Sequence, residues 1–528
     1  MMEDKIRGVE QELAMNTLPP LPHGSLVHLV GMAMEELKRS RLLTSVRVEE
    51  PRLDFMALNG FRVYNDMSHL ELSTPSYNSP LEAVIYDKVG ELLAYHAVRN
   101  LKGYFREVNA YKNNVSNVSG GGAWRAVSYS THSSIIMDRA TCNLDVWGRL
   151  EAALIPYMVA RVPLIGGGDF VPALSGGGSH HRGKELSGET LRYVISPRAF
   201  FVKKPSSNDT VEARGLLNTR DDPHADPERY WRLHDINWEG LRSPFQVYLR
   251  DCLEVLVMTA YEGGFLKSPP EMADPVGSIK EISSDTEGCD WKVSLKDGRR
   301  VDALADIMEG FYLAGIEEMM AYGDPSKVDR MGFNLIESTL RVLGEGRLEC
   351  FLDGLDWVTK KMMIEEYAPG DLEDALGICN QYALIDGAVL KYLGEPVDPD
   401  DCLTTFSYEG GLEFARDAIP VVDWDSFSGL VGRALRHGPE GTREYLRCLV
   451  AREFPLLVES IEWERITFPS ATIQLEEPFK FNREMCGNLL EKSVENFDTF
   501  RRAISSIDRA GSAVKPAPVE DHERPDKK

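Results

Sequence analysis

Short runs of alternating polar and apolar residues near the N-terminus predict β-strands that present one polar face. In residues 8–14 (GVEQELA), Glu10 and Glu12 occupy alternate positions, and Val9 and Leu13 lie beside them. Successive side chains of a strand point to opposite faces of a sheet. The pattern therefore predicts a strand that directs both glutamates to one side.

A second alternation covers residues 59–75 (NGFRVYNDMSHLELSTP) and predicts two further strands, separated by an irregularity at Met67 and Ser68. Apolar residues such as Val63 and Leu72 separate the polar ones, so each strand again has one polar face. The polar positions of these two strands are Arg62, Tyr64, Asp66, His69, Glu71 and Ser73.

Elsewhere the apolar spacing is mostly helical, which makes the whole an α+β chain. The ranges with helical spacing are 25–43, 81–101, 144–161, 245–261, 301–322, 328–343 and 355–367. Further strands are expected at 46–55, 192–196 and 211–219. Residues 113–124 are rich in Asn, Ser and Gly and predict a loop.

The C-terminal part of the chain is predicted to form a separate, smaller domain. Pro, Asp and Gly interrupt residues 393–411, so we expect a catalytic domain at 1–411 and a small domain at 412–510. Residues 511–528 are polar and contain Pro, which predicts a disordered tail.

The composition is that of a globular protein with an acidic surface: 43% of residues are hydrophobic, 27% are charged, and the formal net charge is -24. Such a surface repels polyanions, so nucleic acid is not an expected partner. Neither an apolar run of about 18 residues nor a secretion signal is evident, which predicts a cytoplasmic protein without a membrane span. The eight scattered cysteines predict no disulfides.

The acidic side chains on the predicted strands suggest a metal site. Carboxylates at alternate positions repel one another unless a hard cation lies among them, and oxygen ligands without sulfur suit Mg²⁺ or Mn²⁺. ATP is the natural ligand to accompany such ions. Two acids two residues apart are, however, also common on a solvated strand face.

These segments resemble the Pup ligase and depupylase family, which acts on the small prokaryotic ubiquitin-like modifier Pup. The family pattern is a GxExE strand and then NGxRxYxDxxHPEYxxPE. The matching positions are Gly8, Glu10, Glu12, Asn59, Gly60, Arg62, Tyr64, Asp66, His69, Glu71 and Pro75. Later segments that resemble the family in the same order are YKNN, SYSTH, LNTRDDPHADPERYWRLH, LDWVTKK, QYALID and PEGTREYLR, so the resemblance covers roughly residues 6–485.

The resemblance implies a glutamine-synthetase-like fold, in which a curved, largely antiparallel sheet backed by helices cradles ATP and metal ions. It implies that Asp66 is the catalytic general base. It also implies that Glu10, Tyr64 and Glu71 bind Mg²⁺, as two or more ions with Mn²⁺ as a substitute, and that Glu12 is the second acid of the metal-binding strand.

The resemblance further implies that Arg62 and Thr74 contact ATP and that Trp463 contacts the nucleotide, by stacking on the base. Arg220 is the expected phosphate contact in residues 217–234, and pairing with the nearby aspartates is the competing explanation. The histidines expected to support these groups are His69, His132 and His224.

The implied activity is that of an ATP- and Mg²⁺-dependent carboxylate-amine ligase, which activates a carboxylate as an acyl phosphate for attack by an amine. A peptide or protein is the expected substrate, and a Pup-like modifier is the candidate partner. One alternative is a depupylase-like deamidase or isopeptidase with the nucleotide as cofactor. Another is an ATP-binding phosphotransferase or a regulator without ligase activity.

The spacing of the site residues supports both main alternatives. Asp66 follows Glu12 by only 54 residues, which leaves no room for the long insertion typical of depupylases and favours a ligase. His69, however, follows Asp66 by three residues, which is the depupylase form. The two spacings therefore conflict.

Four positions depart from the family pattern. Leu70 replaces Pro, Ser76 replaces Glu, and Ser133 and Ser134 replace the Glu and Asn that follow the SYGTH-type histidine. We expect these changes to leave ATP binding intact and to alter the substrate groove or one metal contact.

Residues 178–185 (GSHHRGKE) differ by one residue from a P-loop motif. Glu185 occupies the position of the Mg²⁺-binding hydroxyl, and no apolar strand precedes the segment. We therefore interpret it as a flexible Gly-rich loop.

Overall fold

The computed structural model describes residues 1–21, 25–47, 54–120, 123–172, 191–469, 471–491 and 497–513. The P-loop-like segment 178–185 lies outside the described residues. Among those described, the helices are all too short or too polar to cross a lipid bilayer.

Helices account for most of the regular structure. An 11-residue π-helix, Ala303–Leu313, runs directly into α7. The α-helices are Leu26–Arg39 (α1), Pro80–Arg99 (α2), Trp147–Ala160 (α3), Val162–Ile165 (α4), Pro244–Glu262 (α5), Pro275–Ser284 (α6), Ala314–Tyr322 (α7), Lys327–Gly344 (α8), Asp356–Tyr367 (α9), Leu372–Ala383 (α10), Tyr408–Ala418 (α11), Phe427–Ala434 (α12), Glu444–Glu453 (α13), Arg483–Glu491 (α14) and Phe497–Ala513 (α15).

The strands are mostly short, and β1 is the longest of those described. They are Arg7–Leu18 (β1), Leu43–Arg47 (β2), Phe55–Ala57 (β3), Arg62–Asp66 (β4), His69–Ser73 (β5), Glu107–Tyr111 (β6), Val115–Gly120 (β7), Ala123–Ser128 (β8), Thr131–Asp138 (β9), Asp169–Pro172 (β10), Leu191–Val194 (β11), Lys204–Ser207 (β12), Gly215–Asn218 (β13), Tyr230–Trp238 (β14), Lys292–Ser294 (β15), Arg300–Asp302 (β16), Leu384–Ile385 (β17), Ser460–Ile461 (β18), Arg465–Phe468 (β19) and Ala471–Gln474 (β20).

One large sheet organises the molecule. Its strand order is β14-β9-β1-β5-β4-β3-β2-β18-β19-β20, and β6 pairs with both β1 and β17. Neighbouring strands are antiparallel except at the β2-β18 contact. This arrangement confirms the predicted α+β class with a large, mostly antiparallel sheet backed by helices.

Strand β1 separates a polar face of this sheet from the hydrophobic core. Val9 and Leu13 are buried in that core, and so are Leu72 on β5 and Ile135 on β9. On the core side of the sheet, helices α2 and α5 contact each other, and α5 also contacts β9. Alternation in β1 therefore places the hydrophobic core on one side of the sheet and Glu10 and Glu12 on the other.

A second, smaller core lies in the C-terminal part of the chain. It joins apolar residues of α13, β18, β19 and α15 to Val46 on β2 and Met56 on β3. Helices α11 and α12 pack in the large core instead. The predicted boundary after residue 411 stays a prediction, and this packing leads us to propose a boundary between α12 and α13.

Two local predictions were wrong. Residues 113–124 include β7 and part of β8, which pair as a hairpin, because cross-strand hydrogen bonds compensate for a composition typical of loops. The predicted tail from residue 511 begins inside α15, which continues to Ala513; residues 514–528 lie outside the described part of the chain.

Candidate active site

The polar residues of the N-terminal strands lie on one face of the large sheet, as their alternation predicts. Between β1 and β5, Glu10 pairs with Ser73 and Glu12 pairs with Glu71. Between β4 and β5, Tyr64 pairs with the same Glu71. Because directly opposed residues of an antiparallel pair point to the same face, these side chains converge.

Strands β9 and β14 extend this face on the other side of β1 with basic side chains. His132 on β9 pairs with Glu10, and His234 on β14 pairs with Ser134. Arg232 precedes His234 by two residues, and its Nη1 atom lies 3.6 Å from Oε1 of Glu10. A basic side therefore adjoins the acidic one.

A two-residue turn positions Asp66 at the end of this face. Met67 and Ser68 have φ angles of 48° and 77°, which are uncommon for residues other than glycine. The side-chain oxygen of Asn65 accepts a hydrogen bond from the Ser68 backbone at 3.1 Å and braces the turn. Asp66 and His69 consequently pair directly across the β4-β5 hairpin.

Three carboxylates lie close enough to share a cation. Glu12, Asp66 and Glu71 each offer an oxygen atom, and these atoms lie within 4.8 Å of one another. Oε2 of Glu12 accepts hydrogen bonds from the Ser130 backbone at 2.7 Å and from its hydroxyl at 3.1 Å. The Tyr64 hydroxyl donates to Glu71.

A second group of possible ligands adjoins the first. Glu10, His132 and His234 each offer an atom within 4.8 Å of the others. Nδ1 of His132 lies 3.2 Å from Oε2 of Glu10, and the two imidazole rings are 5.4 Å apart. These histidines can also orient the Glu10 carboxylate, because a hydrogen bond fixes its rotamer.

The electrostatics of the acids differ according to their neighbours. Burial and the negative charges of Glu10 and Glu12 raise the pKa of Glu71 well above its usual value. Burial alone would raise the pKa of Glu10, but the hydrogen bond from His132 and the charge of Arg232 hold it below its usual value. Burial lowers the pKa of His234 well below its usual value.

These residues fit a bound Mg²⁺ ion. The three acids supply the hard oxygen ligands that Mg²⁺ prefers: Glu71 is buried, Glu12 is half-buried, and Asp66 is the most exposed of the three. Negative neighbours destabilise the ionised form of Glu71, so a divalent cation would relieve this repulsion. The set is therefore chemically suited to the metal that the sequence predicts.

Of the three predicted supporting histidines, two lie at the acidic cluster. Nδ1 of His69 and Nε2 of His132 each lie 4.0 Å from Oε1 of Glu12. The third, His224, lies between two other acids. Its Nε2 atom is 3.7 Å from Oδ2 of Asp222, and its Nδ1 atom is 3.6 Å from Oε2 of Glu464.

A cavity beside the acidic cluster brings several of the predicted nucleotide contacts together. Its lining includes Glu10, Thr74, His224, Arg232 and Trp463. The Thr74 hydroxyl accepts a hydrogen bond from the Val9 backbone at 2.9 Å, which leaves its own proton available to a ligand. Residues of β1, of the 217–234 segment and of the C-terminal part of the chain thus meet at one site.

Two predicted phosphate contacts lie outside the lining of this cavity. The guanidinium of Arg62 donates to Asp54 at 2.8 Å and lies over the Tyr64 ring at 4.7 Å. Arg220 is exposed, and its Nη2 atom lies 3.6 Å from Oδ2 of Asp222. Their predicted roles stay predictions, and the pairing of Arg220 matches its competing explanation.

Sequence reasoning did not single out Arg232 and His234. Both lie in residues 217–234, where the sequence predicts functional roles only for Arg220 and His224. The alternation in YWRLHDINW was the available signal, because it places Arg232 and His234 on one face of β14. Their proximity to Glu10 depends on strand order, which the local pattern does not specify.

Of the four departures from the family pattern, three are buried in the protein interior and one lies on the polar face of the sheet. Leu70 is buried in the core, and the Ser133 hydroxyl donates to the buried Glu254 at 2.6 Å. Ser76 donates to the buried Glu444 at 2.7 Å. Only Ser134 belongs to the polar face, where Nη1 of Arg232 donates to its hydroxyl at 3.1 Å.

Comparison with known proteins agrees with these observations. The family model for the Pup-ligase protein matches residues 26–388. A depupylase of Acidothermus cellulolyticus is 29% identical over 447 residues, which are 82% of this chain and 80% of the relative. A Pup-protein ligase of Xylanimonas cellulosilytica is 28% identical over 377 residues, which are 69% of this chain and 75% of the relative.

A solved structure shares the fold. It is the crystal structure of the complex between the prokaryotic ubiquitin-like protein Pup and its ligase PafA. The match has a TM-score of 0.69 and 21% identity, and it covers 99% of this chain and 98% of the other.

Proposed function

The chain belongs to the Pup-ligase family, and we propose that it is an ATP- and Mg²⁺-dependent carboxylate-amine ligase that acts on a peptide or protein. The observation that carries this proposal is the convergence of Glu12, Asp66 and Glu71 beside a cavity lined by Thr74 and Trp463. Acids that repel one another next to such a cavity suit a metal-nucleotide complex.

The reaction has two steps. A carboxylate oxygen of the acid substrate attacks the γ-phosphorus of ATP, and ADP leaves. The amine nitrogen of the second substrate then attacks the acyl carbon, inorganic phosphate leaves, and the proton of the amine passes to a base. Mg²⁺ held by Glu10, Glu12, Tyr64 and Glu71 would offset the negative charge of the phosphates.

We assign the base to Asp66. Asp66 lies at the end of β4, close to Glu12 and Glu71. It is not part of the row in which Glu12, Glu71 and Tyr64 pair across the strands, because its own cross-strand partner is His69. A carboxylate in this position can accept a proton from an amine. His69 pairs with Asp66 across the hairpin and can help to orient it.

The nucleotide occupies the cavity at the other end of the cluster. Thr74 can donate a hydrogen bond there, and the side chain of Trp463 can stack on the base. Arg232 presents positive charge on the same side, which suits phosphate oxygens. Arg62 and Arg220 can contribute only if ATP displaces their present carboxylate partners.

A Pup-like modifier is the proposed acid substrate. This part of the proposal rests on relatives named Pup-protein ligase and on the PafA complex, whose partner is Pup. The acceptor is then a lysine amine of a protein. Of the four departures from the family pattern, Ser76 and Ser134 line the cavity proposed for the nucleotide.

A depupylase-like deamidase or isopeptidase is the second candidate. The relatives named depupylase or Pup deamidase/depupylase support it, including one from Mycobacterium tuberculosis that is 30% identical over 82% of this chain. The three-residue spacing between Asp66 and His69 supports it as well. In that reaction the oxygen of water attacks the amide carbon and Asp66 accepts the proton of the water. The C–N bond then breaks, the proton passes to the nitrogen, and ammonia or the lysine amine leaves, while the nucleotide is retained.

The test is ADP release by the purified protein with Mg²⁺, ATP, a Pup-like peptide and a lysine-containing acceptor. A ligase releases one ADP for each bond formed, whereas a deamidase forms product without stoichiometric ADP. Asp66→Asn should lower the ligation rate at least 100-fold, since general-base catalysis contributes about 10²–10⁴-fold.

Nucleotide binding measured by calorimetry is the companion readout. Asp66→Asn should still bind Mg²⁺ and ATP through Glu12 and Glu71, with a smaller loss in affinity than in rate, and the exposed surface variant Asp297→Asn should match the wild type in both assays. Full activity of Asp66→Asn would refute the assignment of the base. Binding without any turnover would favour the non-ligating regulator.

A further inference from the structure

A short strap in the C-terminal part of the chain lies beside the nucleotide cavity. It consists of residues 475–478, which directly follow β20. Nη1 of Arg443 donates to the backbone oxygen of Leu475 at 2.6 Å, and the backbone nitrogen of Arg443 donates to that of Pro478 at 2.9 Å. Arg443 itself lines the cavity. The strap is therefore fixed to one wall of the cavity.

The strap also contacts the segment before and at the start of β14, which forms another wall. The backbone oxygen of Glu476 accepts a hydrogen bond from the Asp226 backbone at 2.9 Å. The Tyr230 hydroxyl lies 3.0 Å from both carboxylate oxygens of Glu477, and Nη1 of Arg229 donates to the same carboxylate. The residues of this segment that line the cavity are Pro223, His224 and Arg232. The strap thus joins two walls that are far apart in the chain.

Tyr230 lies at the boundary of the nucleotide cavity. It precedes Arg232 by two residues on β14, so both side chains point to the polar face of the sheet. A second cavity of about 540 Å³ begins there, and its lining includes Tyr230 and Pro478. Ile136 lines both cavities. The contact between Tyr230 and Glu477 therefore lies where the two cavities meet.

The chemistry of this contact suits a closure that holds and can still open. Burial and the charge of Glu477 raise the pKa of Tyr230 above its usual value, so the hydroxyl keeps its proton at neutral pH and donates it to the carboxylate. A hydrogen bond to a charged acceptor is stronger than one between neutral groups. Arg229 is half-exposed and contributes less, because solvent screens its charge.

We propose that Glu477 is a positioning residue that keeps the two walls of the nucleotide cavity together and slows the release of the nucleotide. When the walls separate, the contacts of Glu477 with Tyr230 and Arg229 break. A ligase must open the strap in every turnover, because it releases ADP each time, whereas a deamidase retains the nucleotide behind it. The inference rests on the proposed nucleotide site and adds the control of its exchange.

The test measures the release of a fluorescent ADP analogue, N-methylanthraniloyl-ADP, from the full chain with Mg²⁺. After an excess of unlabelled ADP is added, the decay of the fluorescence gives the dissociation rate. Tyr230→Phe removes only the hydroxyl and should raise this rate about tenfold, the effect expected for one hydrogen bond to a charged group. Glu477→Gln should raise it at least as much. The double variant should match Glu477→Gln, because Tyr230 acts through Glu477.

Glu453→Gln is the matched control. Oε1 of Glu453 lies 3.0 Å from Nε of Arg452 in a partly exposed pair at the end of α13. This variant should keep the wild-type dissociation rate. The melting temperature of each variant without nucleotide is the second readout. A merely structural role of Glu477 would lower that temperature and leave the dissociation rate unchanged.

Three results would overturn the proposal. An unchanged dissociation rate in Tyr230→Phe and Glu477→Gln would refute the role of the strap and leave the nucleotide site intact. Additive effects of the two substitutions would show that the hydroxyl acts on another group. If the wild type does not bind the analogue, the proposed nucleotide site fails and the strap fails with it. Tyr230→Phe, the smaller change, decides alone if Glu477→Gln does not fold.

Discussion

Two sets of carboxylates lie on opposite sides of strand β1, and they differ in their counter-charges. On the core side, Asp87 and Glu91 of α2 are both contacted by Lys88 and Lys112, at 2.7–3.1 Å. Arg242 adds a third cation at 3.6 Å from Glu91. On the polar side, the cluster of Glu12, Asp66 and Glu71 has no lysine or arginine ion pair among the described residues.

The difference is visible in the titration of these groups. Burial alone would raise the pKa of Asp87, but the charges of Lys112 and Lys88 hold it below its usual value. Glu71 is as buried, yet the charges of Glu10 and Glu12 raise its pKa further. Balanced charges therefore indicate a structural network, and unbalanced ones indicate a site that requires a ligand.

The largest expected effect is a loss of stability when a lysine is removed from the core-side network of Asp87 and Glu91, here called the balanced set. Lys88→Met should lower the free energy of unfolding by about 3–5 kcal/mol, because it leaves buried carboxylates short of a partner. Urea unfolding followed by circular dichroism measures this loss. Lys102→Met is the control, since that lysine is half-exposed at its pair with Asp401 and should cost less than about 1 kcal/mol. Equal losses in both variants would contradict the comparison.

In the cluster of Glu12, Asp66 and Glu71, here called the unbalanced set, replacing an acid by a neutral residue should reduce the stabilisation that Mg²⁺ and ATP provide. At pH 4.5 and without metal, Glu71→Gln should unfold within about 1 kcal/mol of the wild type. Mg²⁺ and ATP at 100 times their dissociation constant should stabilise the wild type by about 2.7 kcal/mol, and most of this gain should be absent in the variant. The measurement is thermal unfolding with and without ligand.

Glu82→Gln is the control for that experiment. Burial raises the pKa of Glu82 to about 7, but this residue lies on α2, away from the polar face. Its substitution should preserve the gain from Mg²⁺ and ATP. A full gain in Glu71→Gln would show that the acidic cluster does not bind the metal.

The smallest expected effect is a pH dependence. Because the pKa of Glu71 is raised on folding, its contribution to stability is complete below the unfolded value of 4.5 and is lost as the pH rises towards the folded value. The metal-free wild type should therefore lose stability relative to Glu71→Gln above pH 4.5, by at most about 1.4 kcal/mol per pH unit.

The balanced set has the opposite sign. The pKa of Asp87 is lowered on folding, so its contribution to stability is present above pH 3.8 and is lost as the pH falls.

Urea titrations from pH 4 to 8 measure the difference in stability between the metal-free wild type and Glu71→Gln. A difference that is constant over this range would show that Glu71 titrates as it does in the unfolded chain.

Much of the acidic cluster was predictable, because it depends on periods of two residues within single strands. Alternation placed Glu10 with Glu12 and Tyr64 with Asp66, and the irregularity at Met67 is the turn between β4 and β5. The long helices also follow from local spacing, as in α2 and α5. The hairpin of β7 and β8 was missed, since its stability comes from pairing between strands and not from its composition.

The basic part of the site was not predictable in the same way. Arg232 and His234 alternate on β14, but their place beside Glu10 depends on the pairing of β14 with β9 and of β9 with β1. Arg62 shows the reverse case, because Asp54 pairs with the guanidinium that was assigned to ATP.

The sequence by itself determined which side chains share a strand face, because alternation is a property of the extended backbone. It also determined the family, since many short motifs recur in the expected order. Only the tertiary structure decided that β9 pairs with β1 and β14 with β9, and that Arg232 lies near Glu10. The physical reason is that strand order and charge pairing join residues far apart in the chain, and no local pattern encodes those distances.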